Sequence, residues 1–313
     1  MATLRTIRLR IKGTKNIKQI TRAMEAVSAV KMRKSQQAAL AARPYATAAL
    51  RLLKNIHGSS VEGGVLSPLL EKREVKNTLL VVVTSDKGLA GPFNANVLKK
   101  AEQFIKNTAV EPKKVISIAA VGKKAGEYFS RRGRTPANSW TGHGDFVELG
   151  EVEHVFDFVR KSFEQKKVDE VFVVYTNFLS AMKQEVVVRK LLPFSEEGLE
   201  EMVKGIAPDK GRFAEVNVQD VVDVVNVGEY LFEPSPKEIF DTLLPTLLKI
   251  EIYHAILEAN ASEHSSRMIA MRNATDNAGE LIKSYTVSLN KARQSAINKE
   301  LAEITGGSEA LTQ

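Results

Sequence analysis

Apolar residues recur at helical spacing near the N-terminus of the chain. Between Leu4 and about Ile56, Gly and Pro are rare and Ala, Lys, Arg and Gln are frequent, which favours one long helix. The apolar positions of its first half step by three and four residues: Ile17, Ile20, Met24 and Val27. This spacing predicts that these four side chains form a buried seam against another helix.

A longer periodic pattern follows near the C-terminus. It begins at "EPSPKEIF", where Ser235 and Pro236 occupy positions typical of a helix N-cap and first turn. The seam positions then alternate steps of three and four residues: Leu247, Ile250, His254, Leu257, Ala261, His264, Met268, Met271, Thr275, Ala278, Ile282, Tyr285, Leu289, Ala292 and Ala296. A repeat of about seven heptads predicts a left-handed coiled coil. Pro245 is expected to kink the helix or to mark a second start, and the helix is expected to end near Thr305 to Ser308.

One stretch of this second helix, "SSRMIAMRNATDNAGELIKSY", contains many residues that weaken helices. Most of its polar residues lie off the predicted seam. We expect its small residues, Gly279 among them, to let two paired helices approach closely.

The middle of the chain alternates short apolar runs with amphipathic segments. Strands are predicted at 78–85, 115–122, 169–178 and 183–193, and helices at 94–106, 123–131 and 152–165. This alternation predicts βαβ units and a mostly parallel, Rossmann-like sheet. The polar stretch 195–228 is expected to be an excursion that returns to the sheet edge.

These patterns together predict an α/β fold in which a compact domain is inserted between two long helices. The expected parts are an N-terminal coiled-coil helix at 1–57, a Rossmann-like domain at 75–232 and a C-terminal coiled-coil helix at 236–306. Helices of this length do not persist in water unless they pack on something. We therefore expect the two ends of the chain to pair as a long antiparallel coiled coil.

Composition excludes several kinds of chemistry. The 313 residues include no cysteine, which rules out disulfides, thiolate metal sites and cysteine nucleophiles. The five histidines show no metal-ligand spacing, and no apolar run approaches the ~20 residues that span a bilayer.

Positive charge is concentrated at the N-terminus. Residues 1–56 hold thirteen Lys or Arg residues against one acid, Glu25, whereas the remainder of the chain has a net charge of −4. Three interpretations are open: a transit peptide, a nucleic-acid-binding arm, or a structural helix that faces an acidic partner. The basic pattern runs on without a cleavage-like break and lacks interleaved aromatic residues, which favours the third.

The clearest candidate for ligand chemistry is "SDKGLAGPFN", a loop between a predicted strand and a predicted helix. This is where dinucleotide folds hold phosphate, but the loop matches neither G-x-G-x-x-G nor the P-loop pattern. No nucleophile, base and oxyanion site come together elsewhere. We therefore predict no catalytic, cofactor-binding or metal-binding residues, and no cofactor.

Four segments resemble the gamma subunit of the F-type ATP synthase. "IKGTKNIKQITRAMEAVSAVKMRKSQ" is similar to that family's N-terminal helix. "SRMIAMRNATDNAGELI" and "NKARQSAINKELAEI" match its C-terminal helix, and "SDKGLAGPFN" is similar to a strand–turn–helix segment of its central domain. On these motifs the chain is identified as a member of the family, of the bacterial type. The cysteine pair of the plant type is absent, so 195–228 cannot be a comparable thiol switch.

The resemblance implies a non-catalytic rotor shaft, present in one copy per complex. Its expected partners are three alpha and three beta subunits, the epsilon subunit and the ring of c subunits, through which it associates with the membrane indirectly. Proton-driven rotation of the ring would turn the shaft and drive the beta subunits in sequence through ATP synthesis, or the reverse in hydrolysis. The expected location is the cytoplasmic face of the bacterial plasma membrane.

The resemblance also implies contact residues for the alpha and beta subunits. They are Lys18, Arg22, Met24 and Glu25 on the first helix and Arg267, Gln294, Asn298 and Glu300 on the second. The family often has Thr where this chain has Asn298. Lys and Arg facing acidic loops would supply attraction that varies smoothly with rotation angle.

Two interpretations from other classes remain open on the residues alone. A free-standing α/β nucleotide-binding protein with a coiled-coil arm would bind ATP or NAD at the Gly88–Gly91 loop. A basic coiled-coil protein would bind DNA with a steep dependence on salt.

Overall fold

The computed structural model describes residues 4–41, 67–108, 114–142, 147–194 and 236–311. The distal part of the predicted N-terminal helix, up to residue 56, and the predicted excursion at 195–228 lie outside the described residues. The chain divides into two compact units, which we call the terminal unit (1–28 and 267–313) and the central unit (29–266).

The described residues form long helices at both ends of the chain and alternating strands and helices between them, which confirms the predicted fold class. The helices are α1 (Leu4–Ala41), α2 (Phe93–Thr108), α3 (Lys123–Ser130), α4 (Glu153–Glu164) and α5 (Pro236–Leu311). The strands are β1 (Asn77–Val83), β2 (Val115–Val121), β3 (Asn138–Trp140), β4 (Glu170–Phe178) and β5 (Gln184–Leu192).

Five strands form one mixed sheet in the order β3-β2-β1-β4-β5. The first four run parallel, and β5 returns antiparallel to β4 as the second strand of a hairpin. Strand β3 was not predicted, because its three residues carry no apolar run. It pairs with Ala119–Val121 at the sheet edge, next to helix α3.

The central strand β1 is buried on both faces, as its continuous apolar run predicts. Leu79, Val81 and Val83 point to one core with apolar residues of α4 and α5. Leu80 and Val82 point to a second core with apolar residues of α2 and α3. The central unit therefore has three layers, with the sheet in the middle.

Helix α5 is a single helix through Pro245, without the second start that the sequence allowed, and it continues past the predicted end to Leu311. In the central unit it is buried on nearly every side between Leu244 and Ser265. Its serines anchor it to the sheet. Ser262 donates a hydrogen bond to the carbonyl of Thr176 (3.2 Å), and Ser265 donates to that of Ala181 (2.7 Å).

A carboxyl group is buried where α5 crosses the sheet. Glu251 is only 7% exposed, and this burial raises its pKa to about 8 although the positive charge of Arg189 on β5 opposes the shift. Nearby, burial and then the negative charge of Glu258 raise the pKa of Tyr175 on β4 well above its usual range. Folding therefore favours the neutral form of Glu251 at neutral pH.

No helix of the described part of the chain is long and apolar enough to cross a lipid bilayer.

Glu251 predicts a specific dependence of stability on pH. In the unfolded chain this carboxyl ionises near 4.5, whereas the folded chain keeps its proton up to about 8. The free energy of unfolding should therefore fall as pH rises between these values and level off above them. Glu251→Gln has no carboxyl to ionise at this position and therefore lacks this loss of stability. The variant should become more stable relative to the parent as pH rises. Urea unfolding of the full chain between pH 5 and 9 measures the difference.

The exposed residue Glu280 on the same helix provides the matched control. Glu280→Gln shows what the same substitution does to stability at an exposed position. A Glu251→Gln pH profile parallel to that of the parent would show that Glu251 ionises normally in the folded chain.

Candidate subunit-contact surface

Within the terminal unit, α5 buries one stripe of side chains, and this stripe confirms the heptad seam predicted from the sequence. Met271, Thr275 and Ala278 are buried, and the next seam positions remain half-buried while most residues between them are exposed. The half-buried positions are Ile282, Tyr285, Leu289, Ala292 and Ala296. The polar residues Asn273, Asp276 and Asn277 lie on the exposed side, as expected.

The seam predicted for α1 was wrong. Ile17, Ile20 and Val27 are 55%, 59% and 51% exposed, and only Met24 of the predicted set is half-buried. The buried residues of this helix segment are instead spaced by multiples of seven: Ile7, Thr21 and Ser28, with Thr14 half-buried between them. The covered side of α1 thus combines aliphatic residues near its start, Leu4, Ile7 and Ile11, with the hydroxyl-bearing Thr14, Thr21 and Ser28 further along, whereas Leu9, Ile17, Ile20 and Val27 face outward.

The hydroxyl groups of Thr21 and Thr275 join the two helices, with 2.7 Å between their oxygens. The Thr275 hydroxyl also lies 2.8 Å from the Met271 carbonyl, to which it donates. The Thr21 hydroxyl has a second acceptor within reach, the Lys18 carbonyl at 3.2 Å, but its contact with Thr275 is shorter. We therefore infer that Thr21 donates to Thr275. The bond between residues 21 and 275 fixes the register in which the chain ends pair.

Gly279 was expected to permit close helix approach, but its neighbour in the structure is a flexible side-chain end. A Cβ atom at this position would lie 3.2 Å from Nζ and 3.8 Å from Cε of Lys18, with no backbone atom nearby. No contact with a backbone atom of the other helix therefore requires glycine at position 279. It leaves room for a lysine at the edge of the seam.

Gly279→Ala should raise the stability of the terminal unit. Alanine gains up to about 1 kcal/mol over glycine inside a helix, and Lys18 can move its end by a few tenths of an ångström. Gly13→Ala on α1 is the matched control, since nothing lies within 4 Å of its added Cβ. Thermal melting of the full chain by circular dichroism should show a higher Tm for both. A lower Tm for Gly279→Ala alone would mean that Lys18 is held in place.

The exposed side of α1 in the terminal unit combines aliphatic and basic residues, and we call it the outer face. Its aliphatic members are Leu9, Ile17, Ile20 and Val27, and its basic members are Arg5, Arg8, Arg10, Lys12, Lys15 and Arg22. Exposed aliphatic side chains in a row are typical of surfaces that bind other proteins. The absence of acids before Glu25 gives this face a strongly positive field.

The structure divides the predicted contact residues into three groups. Arg22, Gln294, Asn298 and Glu300 are exposed and accessible to a partner. Lys18, Met24 and Glu25 are half-buried beside the seam. Arg267 is only 6% exposed, so little of its side chain is accessible to another subunit.

Sequence reasoning missed Leu9, Ile17, Ile20 and Val27 as outer-face residues. A signal for them existed in the spacing of Thr14, Thr21 and Ser28, which recur every seven residues. Hydrophobicity alone selects the aliphatic stripe as the seam. The seven-residue hydroxyl repeat identifies the other side of the helix.

The loop between β1 and α2 has the position of a phosphate-binding loop but is held by internal hydrogen bonds. The Asp86 carboxylate accepts from the backbone N–H groups of Lys123, at the start of α3, and of Gly142, at 2.7 Å each. Asn94 and Ser85 bond each other through their side chains at 2.7 Å. The Asp86 carboxylate therefore occupies the N-terminus of α3, the neighbouring helix, and ties the loop to it.

Gly122, between β2 and α3, completes this arrangement. Its φ of +94° is a conformation that favours glycine, and an added Cβ would lie 2.1 Å from the carbonyl oxygen of Thr84. The ends of the strands around Gly122 are crowded, which favours a structural role for the neighbouring loop between β1 and α2. Among the described residues no cluster of His, Asp or Glu could hold a metal ion.

The sequence is similar to one protein family along nearly its whole length. The family model described as ATP synthase matches residues 3–311. The ATP synthase gamma chain of Pelotomaculum thermopropionicum is 40% identical over 313 residues, covering 99% of this chain and all of that relative. The ATP synthase gamma chain of Chloroflexus aurantiacus is 39% identical, and the match covers both chains completely.

Solved structures share the fold at lower sequence identity. The rotor of the Euglena gracilis mitochondrial ATP synthase matches with a TM-score of 0.60 at 19% identity, over 94% of this chain and 98% of that one. The central stalk and c-ring structure of the Tetrahymena thermophila mitochondrial enzyme matches with a TM-score of 0.57 at 23% identity, over 82% and 99%.

Proposed function

This chain belongs to the family of ATP synthase gamma chains, the central stalk of a rotary motor, and we propose that its outer face contacts the surrounding subunits. It is a non-catalytic subunit of the complex. Its partners are the alpha and beta subunits, the epsilon subunit and the c-ring. In the proposed mechanism, proton-driven rotation of the ring turns the stalk, and the stalk drives the beta subunits in sequence through ATP synthesis.

The observation that carries this proposal is the division of α1 into two sides. Its hydroxyl side pairs with α5 through Thr21 and Thr275, and its aliphatic and basic side remains exposed. An isolated coiled coil would place its aliphatic residues in the seam. The reversed arrangement suits a helix that must pair with α5 and face another protein as well.

Electrostatics explains how such a surface can turn within a ring of subunits. Interdigitated aliphatic contacts hold one orientation, whereas the energy of a charge near an acidic loop changes gradually with angle. Lys12, Lys15 and Arg22 are exposed along the outer face and would supply this gradual attraction. The aliphatic residues would exclude water at each resting position.

The eight predicted contact residues take different roles in this proposal. The exposed residues Arg22, Gln294, Asn298 and Glu300 would contact the alpha and beta subunits directly. Lys18, Met24 and Glu25 would contact them from beside the seam. Arg267, which is buried, would act by stabilising the helix pair.

The domain division remains part of the proposal. Residues 1–57 and 236–306 would form the shaft, and residues 75–232 would form the foot, in contact with epsilon and the c-ring. One copy would serve three alpha and three beta subunits. We propose that the protein is a peripheral subunit at the cytoplasmic face of a bacterial plasma membrane, and the bacterial gamma chains that it resembles over their whole length support this location.

Removing positive charge from the outer face should weaken coupling. In the assembled complex in vesicles, the triple variant Lys12→Gln, Lys15→Gln and Arg22→Gln should pump fewer protons for each ATP hydrolysed. Its coupling should also depend less on salt than that of the parent, because screening has fewer charges to act on. Acidification of the vesicles measured together with ATP hydrolysis, from 20 to 300 mM KCl, tests both effects.

A matched control changes the same three side chains but keeps their charge. Lys12→Arg, Lys15→Arg and Arg22→Lys preserve all three positive charges of the outer face and should leave coupling and its salt dependence as in the parent. Unchanged coupling in the outer-face variant would contradict the electrostatic role.

Affinity purification tests the assignment itself. A tagged copy of the chain, purified from its native membranes in mild detergent, should carry alpha, beta and epsilon subunits and the c-ring with it. Quantitative mass spectrometry should give about one copy for every three beta subunits. Recovery of the chain without alpha and beta subunits would contradict the rotor function.

A further inference from the structure

A basic groove lies between α2 and α3 in the central unit. Its volume is about 820 Å³. Four cations and one acid line it together with an aromatic ring: Lys99, Lys106, Arg132, Arg134, Glu102 and Tyr128. The helices α2 and α3 cover one face of the sheet, whereas α5 covers the other. The groove therefore lies on the face of the sheet opposite the segment of α5 that belongs to the central unit.

The two arginines of the groove are held by an ordered turn after α3. The backbone N–H groups of Arg132 and Arg134 both donate to the carbonyl of Phe129, at 3.0 Å each. Between them Gly133 adopts a φ of +75°, which lets the chain turn so tightly. The Arg132 guanidinium also stacks on the ring of Tyr128, 3.7 Å from its centroid. This order reduces the entropy that the arginines would lose on binding.

Glu102 occupies the middle of this positive field. Its carboxylate lies 3.9 Å from Arg132 and 3.9 Å from Arg134, a separation that is long for a strong ion pair. Lys99 and Lys106 lie one turn before and one turn after it on the same face of α2. The groove thus keeps a net charge of +3 and already places one carboxylate between its cations.

The walls of the groove favour an extended partner over a small anion. The side chains of Arg132 and Arg134 are 53% and 47% exposed, so water would screen a small anion held between them. The lysines extend the positive charge along about 10 Å of α2, taking the rise of 1.5 Å per residue. Ala95 and the buried Leu98 add an apolar strip beside them.

We propose that the groove between α2 and α3 binds an acidic amphipathic segment of a partner protein. Carboxylates of that segment would pair with Arg132, Arg134 and the flanking lysines, in the manner of Glu102. Its apolar side would lie on Ala95, Leu98 and Tyr128. This docking site is additional to the outer face of α1 and differs from it in using guanidinium groups at fixed positions.

A peptide titration on the full chain tests the proposal. The probe is a fluorescein-labelled helix-forming peptide with Leu and Glu at alternating steps of three and four residues, and its matched control carries Gln in place of Glu. Fluorescence anisotropy at 50 mM NaCl should show that only the acidic peptide binds. The double variant Arg132→Gln and Arg134→Gln should weaken this binding about fivefold or more.

Two single variants test whether the acidic peptide binds in the groove. Glu102→Gln should bind the acidic peptide about twofold or more tightly, because it removes the carboxylate that competes for the two arginines. Lys100 lies on α2 outside the groove, so Lys100→Gln should change peptide binding by less than twofold. Equal losses in Lys100→Gln and in the arginine variant, or weaker binding by Glu102→Gln, would overturn the proposal.

The same titration separates a protein segment from a small anion. Inorganic pyrophosphate should displace the peptide only at concentrations far above the peptide Kd. Displacement at or below that Kd would show a small-anion site and overturn the proposal. In the assembled complex, a photo-crosslinking amino acid at Ala95 should capture an acidic segment of one partner subunit. Crosslinks confined to lipid would contradict it.

Discussion

Helix α5 belongs to both units, and most of the structure depends on how much of the helix each unit buries. Between Leu244 and Ser265 the sheet and its neighbours bury the helix on nearly every side. Beyond Arg267 only the seam stripe stays covered, and most of the helix faces solvent. A helix stabilises itself mainly through the face that it buries. The central unit can therefore hold its segment with a full apolar core, whereas the terminal unit depends on one narrow seam and on its partner helix.

The composition of the seam shows what limits that pairing. Thr21 and Thr275 contribute one satisfied hydrogen bond, and Ser28 and Thr14 add little apolar area. A buried hydroxyl pair contributes about 1 kcal/mol, less than two buried leucines would supply. The aliphatic side chains of α1 that would strengthen the seam, such as Ile17 and Ile20, are directed outward instead. The helix pair is thus less stable than it would be with these side chains in the seam, and it leaves their apolar surface exposed.

Much of this architecture could be predicted from the sequence. Periodicity predicts those elements that bury a large surface. They are the apolar run of β1, the alternating strands and helices, and the heptads of α5. Periodicity failed on α1 because that helix carries two stripes of residues, and the one that holds Ile17, Ile20 and Val27 is exposed. Strand β3 is too short for a periodic signal. The bonds of Asp86 to Lys123 and Gly142 join segments distant in sequence, which no local pattern records.

Transmission of torque requires that α5 be fixed in the central unit more firmly than the seam is held. Packing of its apolar residues supplies most of the stabilisation of α5 in the central unit. Apolar packing alone, however, contains no directional bonds that oppose rotation of the helix about its axis. The hydroxyl groups of Ser262 and Ser265 add directional bonds to the carbonyls of Thr176 and Ala181, on and just after β4. These bonds fix the rotation of α5 relative to the sheet, because any turn of the helix breaks them. Two weak helix formers, Ser262 and Ser265, therefore fix how this segment of α5 is turned toward the sheet.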